Sequence, residues 1–437
     1  MTKCTQYSLE FQSLKRHKVE AEFSGGDITS DGGALLLRDI DRRMGLLESV
    51  NRVLRDSRDR SKVVHTQLSM LKQRVYGLCL GYEDLNDHQT LRNDPAIQTA
   101  VNRFSPLASQ STLCRLENRA DRQALFAVHE VMVQQFIASF RKAPRKLILD
   151  FDATDDRVHG MQEGRFFHGY YDHYCFLPLY VFCGDQLLVN YLRPSNIDGA
   201  KHAWAILALL TKRLRQVWPK VRIVFRGDGG FCRHRMLDWC DRHKVGYIVG
   251  LAKNSRLKQQ LAVEMKAAAE VSETLGEKVR FFESIRYGAA SWKHQRRVIA
   301  KIEHSPKGSN PRFIVTNLRG GSQRLYDNLY CARGEMENRI KEQQMGLFAD
   351  RTSAHEWWAN QFRVLLSGLA YMLLEGIRRT ALKGSRLARA QATTIRLRLL
   401  KIGAVILRNT RRIRFLLSSS YPDKALFVQV AERLRPT

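Results

Sequence analysis

The stretch Lys146-Leu147-Ile148-Leu149-Asp150-Phe151-Asp152-Ala153-Thr154-Asp155-Asp156 decides the fold class. Its compact apolar run ending in acids predicts a strand, in which side chains alternate between faces. Leu147, Leu149 and Phe151 then pack on one side, while Ile148, Asp150 and Asp152 point to the other. Two carboxylates leaving a strand together need to sit at its end, pair with a cation or hold a metal. Asp155 and Asp156 follow at once, making four acids within seven residues. A divalent ion would neutralise such a site; the plain alternative is a solvated strand end.

Two more strands are expected at Tyr174 to Phe182 and Gln186 to Leu192, joined at Gly184-Asp185 like a hairpin. Residues 200–217 have helical periodicity and Pro219 ends that helix. A short strand, Val221 to Phe225, runs into Arg226-Gly227-Asp228-Gly229-Gly230, and a helix near 232–243 and a strand at 245–251 follow. The resulting order, β-β-β-α-β-α-β, describes a mixed sheet with helical crossovers. Asp228 falls in the loop at a strand's C-terminal end, where α/β sheets place ligands, and its glycines admit a sharp turn and close approach by a phosphate. A Gly-rich turn with a turn-favoured Asp is the other reading.

A third group is Tyr330-Cys331-Ala332-Arg333-Gly334-Glu335-Met336-Glu337-Asn338-Arg339-Ile340-Lys341. On a helix, Arg333, Glu337, Lys341 and Gln344 form one polar stripe and Glu335, Arg339 and Glu342 another. An acid between two cations suits a metal-and-phosphate site, and a ladder of ion pairs on a solvated helix is the alternative. An acid on the first strand, one after the fourth and one on a later helix match the arrangement of ribonuclease-H-like nucleases and transposases.

The chain has 437 residues, with 72 Lys+Arg against 43 Asp+Glu, a net charge of +29. With 44% hydrophobic residues it has material for real cores, so disorder is excluded and several domains are expected. A charge excess of this size points to a polyanion, with nucleic acid first. The longest apolar run, Val364 to Leu374, is too short to cross a bilayer, and the first twenty residues lack a secretory apolar core. The eight cysteines include no C-x-x-C pair, which suggests reduced thiols and a cytoplasmic protein. We divide the chain into a helical N-terminal DNA-binding region at 1–143 and a catalytic core at 144–258. A β-rich insertion at 259–325 follows, then the rest of the core with the Glu helix at 326–382 and a basic region at 383–437. Residues 376–437 carry 15 Lys+Arg against 2 Asp+Glu. The helix beginning at Ser111 invites a helix-turn-helix reading, with an amphipathic structural helix as its alternative. Thr29-Ser30-Asp31 reads as a polar cap before an apolar run. Trp292, in the insertion, suits either base stacking or ordinary packing.

The sequence resembles the DDE transposases of bacterial insertion sequences, and within the IS four-like group the branch called IS thirteen-eighty. The segments that carry the resemblance are 29–33, 149–156, Gly164-Arg165-Phe166-Phe167-His168-Gly169-Tyr170-Tyr171, 226–231 and 333–337. The family's Asp-x-Thr pattern selects Asp152 as first acid over Asp150, and Asp228 is the second. The group's signature of Tyr, two residues, Arg, three residues, Glu, six residues, Lys is met by Tyr330, Arg333 and Glu337. Gln344 stands where the lysine belongs, and Lys341 lies one turn earlier. The resemblance implies an α/β, ribonuclease-H-like mixed sheet with a β-rich insertion. It implies two Mg²⁺ ions, or Mn²⁺ in their place, held by Asp152, Asp228 and Glu337, and DNA contacts from Tyr330, Arg333 and Lys341. The partners it implies are double-stranded DNA, as terminal inverted repeats and as target, and a second copy in a synaptic homodimer, in the bacterial cytoplasm near the nucleoid. A catalytically silent DNA-binding repressor and a nuclease without strand transfer are the rival functions.

Overall fold

The computed structural model describes residues 8–435, which fall into two compact units. One comprises residues 8–120, 346–348 and 369–435, the other residues 121–345 and 349–368.

The second unit is built on a nine-stranded mixed sheet. In chain order its elements are α1 (Arg122–Ala138), β1 (Lys146–Ala153), β2 (Leu179–Cys183), β3 (Gln186–Tyr191), α2 (Ala203–Val217), β4 (Arg222–Gly227), α3 (His234–Arg242) and β5 (Gly246–Leu251). The centre reads β3-β2-β1-β4-β5, with β1, β4 and β5 parallel and β2 and β3 antiparallel. That is the strand order of a ribonuclease-H-like sheet, and it follows the expected β-β-β-α-β-α-β sequence. The strands expected of an insertion are β6 (Val279–Tyr287), β7 (Arg296–Ser305) and β8 (Arg312–Thr316). They continue the same sheet, β8 pairing with β5 and β6 forming the far edge, with a short strand Gly308–Ser309 beside β7. Trp292 packs edge-on against Tyr287 at 5.7 Å and beneath the Arg296 guanidinium.

The expected strand from Tyr174 to Phe182 is broken in two. Pro178 has no N–H for a ladder, so the chain leaves one small sheet at Phe176 and enters the large one at Leu179. The small sheet pairs Asp156–Arg157, His173–Phe176 and Phe166–His168.

Alternation along β1 sets the two layers. Leu147, Leu149 and Phe151 share a core with Leu207, Leu210 and Leu214 of α2 and with Phe225 of β4. On the opposite face Ile148 joins Val224, Ile248, Ile299 and Ile314 under Leu325 and Tyr326. The helical segment carrying the third acid therefore lies on the face to which Asp150 and Asp152 point. Asp150, directly across from Arg226 of β4 in the register, is 3% exposed and forms a two-pronged ion pair with it. Arg226 also donates to the Leu329 carbonyl, tying this segment to the sheet.

In the first unit, helices Ala34–Met44, Leu46–Val53 and Gln67–Leu80 are followed by Gln110–Asn118. Ser30 and Asp31 make no side-chain cap for the first helix, whose N-cap is Gly33. Asp31 is instead buried, accepting from the Tyr82 hydroxyl at 2.6 Å and paired with Lys401 at 2.8 Å. Gly32 and Gly33 donate to the carbonyls of Ile402 and Leu400, so this motif clips an early segment to a late one. A Cβ at Gly33 would fall 2.0 Å from the Leu399 carbonyl oxygen, which is why only glycine fits. The helix at 110–118 buries Leu113, Leu116 and Glu117, the last paired with Arg74 at 2.9 Å, and leaves Arg115 exposed. The basic C-terminal region folds into a hairpin, Ala404–Arg408 with Ile413–Leu417, and a helix, Lys424–Leu434. Arg411, Arg412 and Arg414 are exposed around the hairpin tip. Among the described residues all seven cysteines are free, and no helix is long and apolar enough to cross a membrane.

Asp150→Ala should destabilise the protein by about 3–5 kcal/mol, because it leaves the Arg226 guanidinium buried without its counter-ion. The combined Asp150→Leu, Arg226→Met protein should recover most of that loss. Urea denaturation of the three proteins measures both effects.

Candidate active site

The site is assembled by register. Arg226 lies across from Asp150 and Gly227 across from Phe151, so the residues next in line on β1 and after β4 are Asp152 and Asp228. Neighbouring strands run about 4.8 Å apart, and two carboxylates therefore leave the C-terminal ends of adjacent parallel strands side by side. Two residues earlier the same strands carry the Asp150–Arg226 pair, so both Asp150 oxygens are engaged within the sheet, whereas Asp152 meets its cation from a separate element.

Asp228 starts a tight turn in which its Oδ1 accepts from the Gly230 N–H at 2.9 Å. The turn is pressed against β5: a Cβ at Gly250 would lie 2.7 Å from both the Gly229 nitrogen and the Tyr330 hydroxyl. Tyr330 thus covers Gly250 beside the Asp228 turn. A cleft of about 330 Å³ opens there, lined in part by Gly229, Lys253, Asn310, Arg312, Tyr326 and Tyr330.

The third element is an irregular helix. A wide turn over Leu325–Tyr330 and a tight one over Cys331–Arg333 lead into α4 (Gly334–Lys341), and a second wide turn follows at Glu342–Gly346. Such wide turns are frequent at functional sites. Met336 and Ile340 anchor one face in the core, and the stripe expected from the sequence lies on another. Arg333 reaches Asp152 at 3.3 Å and Glu337 at 2.6 Å, bridging the first acid to the third. Burial opposes its charge, yet Asp152, Glu337, Tyr330 and Asp228 together hold its pKa above the usual arginine value. The other stripe is also engaged, Arg339 pairing with Asp185 at 2.7 Å and with Glu342 at 3.5 Å. Lys341 is exposed. Gln344, at the usual lysine position, donates to the Asp155 carbonyl at 2.8 Å and so fastens the helix to the loop after β1.

Burial pushes the Asp152 carboxyl up to about 7. Arg333 opposes that shift, and the charges of Asp228 and Glu337 reinforce it. Two further acids that repel Asp152, with a guanidinium spanning two of the three, form a hard-oxygen donor set that suits a divalent cation. Among the described residues, no three His, Cys, Asp or Glu side chains close around a single point. Arg333 holds the position between Asp152 and Glu337.

Residues 11–437 match the family described as Transposase DDE domain group 1. The chain belongs to this family. Its members carry out phosphoryl transfer on DNA and in general use divalent metal ions. No curated protein matches the chain. Among solved structures, a cryo-EM structure of a piggyBac transposase synaptic complex with hairpin DNA aligns with a TM-score of 0.43 and 10% identity. The alignment covers 85% of this chain and 79% of that one.

Sequence reading missed Arg226 and Gly250 in this DDE domain. Arg226 precedes Asp228 by the interval that separates Asp150 from Asp152, and that matched spacing on two strands was the available signal. Gly250 had none, because its role exists only once β5 lies beside the Asp228 turn.

Two predictions follow from the geometry. An acid whose folded pKa of about 7 lies above its unfolded value of about 3.9 favours folding fully below the lower value and loses that contribution as pH rises through the upper. In EDTA, Asp152→Asn should therefore gain stability relative to the natural chain between about pH 4 and pH 7, by about 1–4 kcal/mol. Urea titrations at stepped pH measure the difference, and a constant difference would refute the assignment. Gly250→Ala should displace Tyr330 and the Asp228 turn, lowering stability by about 1–3 kcal/mol and DNA cleavage by about tenfold or more, as paired cleavage and denaturation assays would show.

Proposed function

We propose that this chain is the transposase of an insertion sequence, binding the terminal inverted repeats of its own element, cleaving there and joining the 3′-OH ends to target DNA. The single observation that carries this reading is that Asp152, near the end of β1, and Asp228, just after β4, lie on neighbouring parallel strands, with Glu337 linked to Asp152 through Arg333. The match of the 149–156, 164–171 and 226–231 segments supports a place in the IS thirteen-eighty branch.

In this reading Asp152, Asp228 and Glu337 hold two Mg²⁺ ions, or Mn²⁺ in their place. The chemistry these supply is activation of the attacking oxygen and stabilisation of the leaving one in an in-line displacement. Asp152 would hold a cation as its carboxylate, and the guanidinium of Arg333, which spans Asp152 and Glu337 in this structure, would hold the scissile phosphate. Tyr330 and Lys341 add contacts to neighbouring phosphates. Water and then the 3′-OH are the nucleophiles. The exposed arginines of the C-terminal hairpin contribute affinity without sequence preference, so binding should weaken steeply with salt. A synaptic homodimer holds the two ends together.

The deciding experiment incubates DNA from the element's ends with the natural protein and with Asp228→Asn, in Mg²⁺ and in Ca²⁺ at low salt. Nicks at the ends that require Mg²⁺ and vanish in the variant, with binding retained, are expected, along with strand-joined products. Nicking without joining would indicate a nuclease of the same fold. Binding with no cleavage by either protein would indicate a silent DNA-binding protein.

A further inference from the structure

The motif Gly164 to Tyr171, singled out in the sequence, belongs to a hairpin that extends to Phe176 and contributes none of the three acids. Its two strands, Phe166–His168 and His173–Phe176, pair antiparallel around a turn. Asp172 adopts a left-handed φ of 57° there, and the His168 carbonyl accepts from the N–H groups of Tyr171 and Asp172. The base of this hairpin is fixed. Phe176 packs edge-on against Trp357 at 5.3 Å, a Cβ at Gly164 would fall 2.5 Å from the same indole, and the Ser195 hydroxyl donates to the Phe166 carbonyl at 2.8 Å.

The far end is different. Phe167 is 52% exposed, Tyr170 86% and Tyr174 46%, although each is large enough to bury well over a hundred Å² in a core. Phe167 and Tyr174 lie opposite each other with ring centres 5.7 Å apart, the Arg165 guanidinium sits 4.4 Å above the Tyr174 ring, and Tyr170, at the turn between the two strands, packs edge-on against Tyr171 at 5.0 Å. Clustered exposed rings on an anchored backbone mark a binding surface more than a packing defect. The hairpin also adjoins the carboxylate centre. His173 bonds Asp155 at 2.9 Å, three residues after Asp152, and Gln344 of the Glu-bearing helix holds the same Asp155 by its carbonyl. Burial, with the charges of Asp155 and Asp152, pushes the neighbouring Tyr171 phenol up to about 12.

An apolar protein partner would favour rings without cations around them. Here the Arg165 guanidinium lies over the Tyr174 ring, and a centre suited to DNA phosphates lies alongside. Rings interleaved with cations beside such a centre match the two halves of a nucleotide, a flat base and a charged phosphate. We propose that this hairpin is a stacking platform for unpaired nucleobases of the DNA strand bound at Asp152, Asp228 and Glu337, with Phe167 and Tyr170 receiving the bases and Arg165 an adjoining phosphate. The proposal rests on the DNA-processing reading of that centre.

The test measures binding of the full-length protein, in Ca²⁺, to three probes. These are a fully paired duplex from the element's end, the same duplex with one unpaired 2-aminopurine near the cleavage position, and the corresponding single strand. The natural protein should bind the unpaired-base duplex about tenfold more tightly than the paired one and quench its 2-aminopurine fluorescence. Phe167→Ala with Tyr170→Ala should remove the preference and the quenching while leaving affinity for paired duplex unchanged. Phe167→Trp, which keeps a ring, should retain both. Stronger binding of the single strand than of the unpaired-base duplex would place the source of the base in a separated strand, and the reverse in a locally distorted duplex. Equal affinity of the natural protein for paired and unpaired probes, or a preference that survives in the double alanine variant, overturns the platform while end-specific nicking stands. Absence of binding to every probe overturns both readings.

Discussion

Two carboxylates set side by side at the ends of adjacent parallel strands repel each other, and the second unit is arranged around that repulsion. A parallel register offers no freedom to separate them, since β1 and β4 are held by ladder hydrogen bonds up to the residues just before Asp152 and Asp228. Positive charge must be brought to the site instead. In this structure it comes from Arg333, which is why the position of the irregular helix, and not the strands alone, decides what the site looks like.

The same strand pair solves the same electrostatic problem in opposite ways two residues apart. At Asp150 the counter-charge is built into the neighbouring strand as Arg226, both groups are buried, and the geometry is closed. Such a pair is costly to break, and it adds specificity of register more than net stability. At Asp152 the neighbouring strand offers another acid, and the compensating cation sits on a separate element, the irregular helix that is seated on the sheet through Leu325 and Tyr326. A closed pair below an open one gives rigidity where the strands must not slip and freedom where a ligand must enter. Burial raises the pKa of both acids; at Asp152 the charges of Asp228 and Glu337 add to that shift, whereas only cations act on Asp150.

Much of this was legible before any coordinates. The alternation in 146–153 gave the two faces of β1 directly, because a strand's period of two leaves no ambiguity about which residues share a side. The paired acids could be read for the same reason, and the stripe on α4 because helical spacing joins Arg333 to Glu337. What could not be read depended on contacts between segments far apart in sequence. The use of Thr29-Ser30-Asp31 is an example: its composition is that of a helix cap, but Lys401 and Tyr82 claim the Asp31 carboxylate. Tyr174 to Phe182 looked like one strand because every residue is strand-compatible except Pro178, and a single missing N–H was enough to divide it between two sheets. The β-rich stretch looked separate because it follows a charged helix. Its edge pairing with β5 is a long-range choice that local pattern does not encode.

That pairing also bears on how the centre is held. With β8, β7 and β6 added beyond β5, the strand that carries Gly250 is internal, flanked by β4 on one side and β8 on the other. An edge strand is free to twist or fray; an internal one is not. Gly250 must stay within contact of the Asp228 turn and the Tyr330 hydroxyl, distances that admit no Cβ. The added strands therefore do more than enlarge the sheet. They fix the backbone against which the second acid's turn is pressed, and Ile314 and Ile299 extend the apolar face on which Leu325 and Tyr326 rest. The helix bearing Arg333 and Glu337 follows directly from that seat, so the placement of the third acid depends on strands that contribute no side chain to the chemistry.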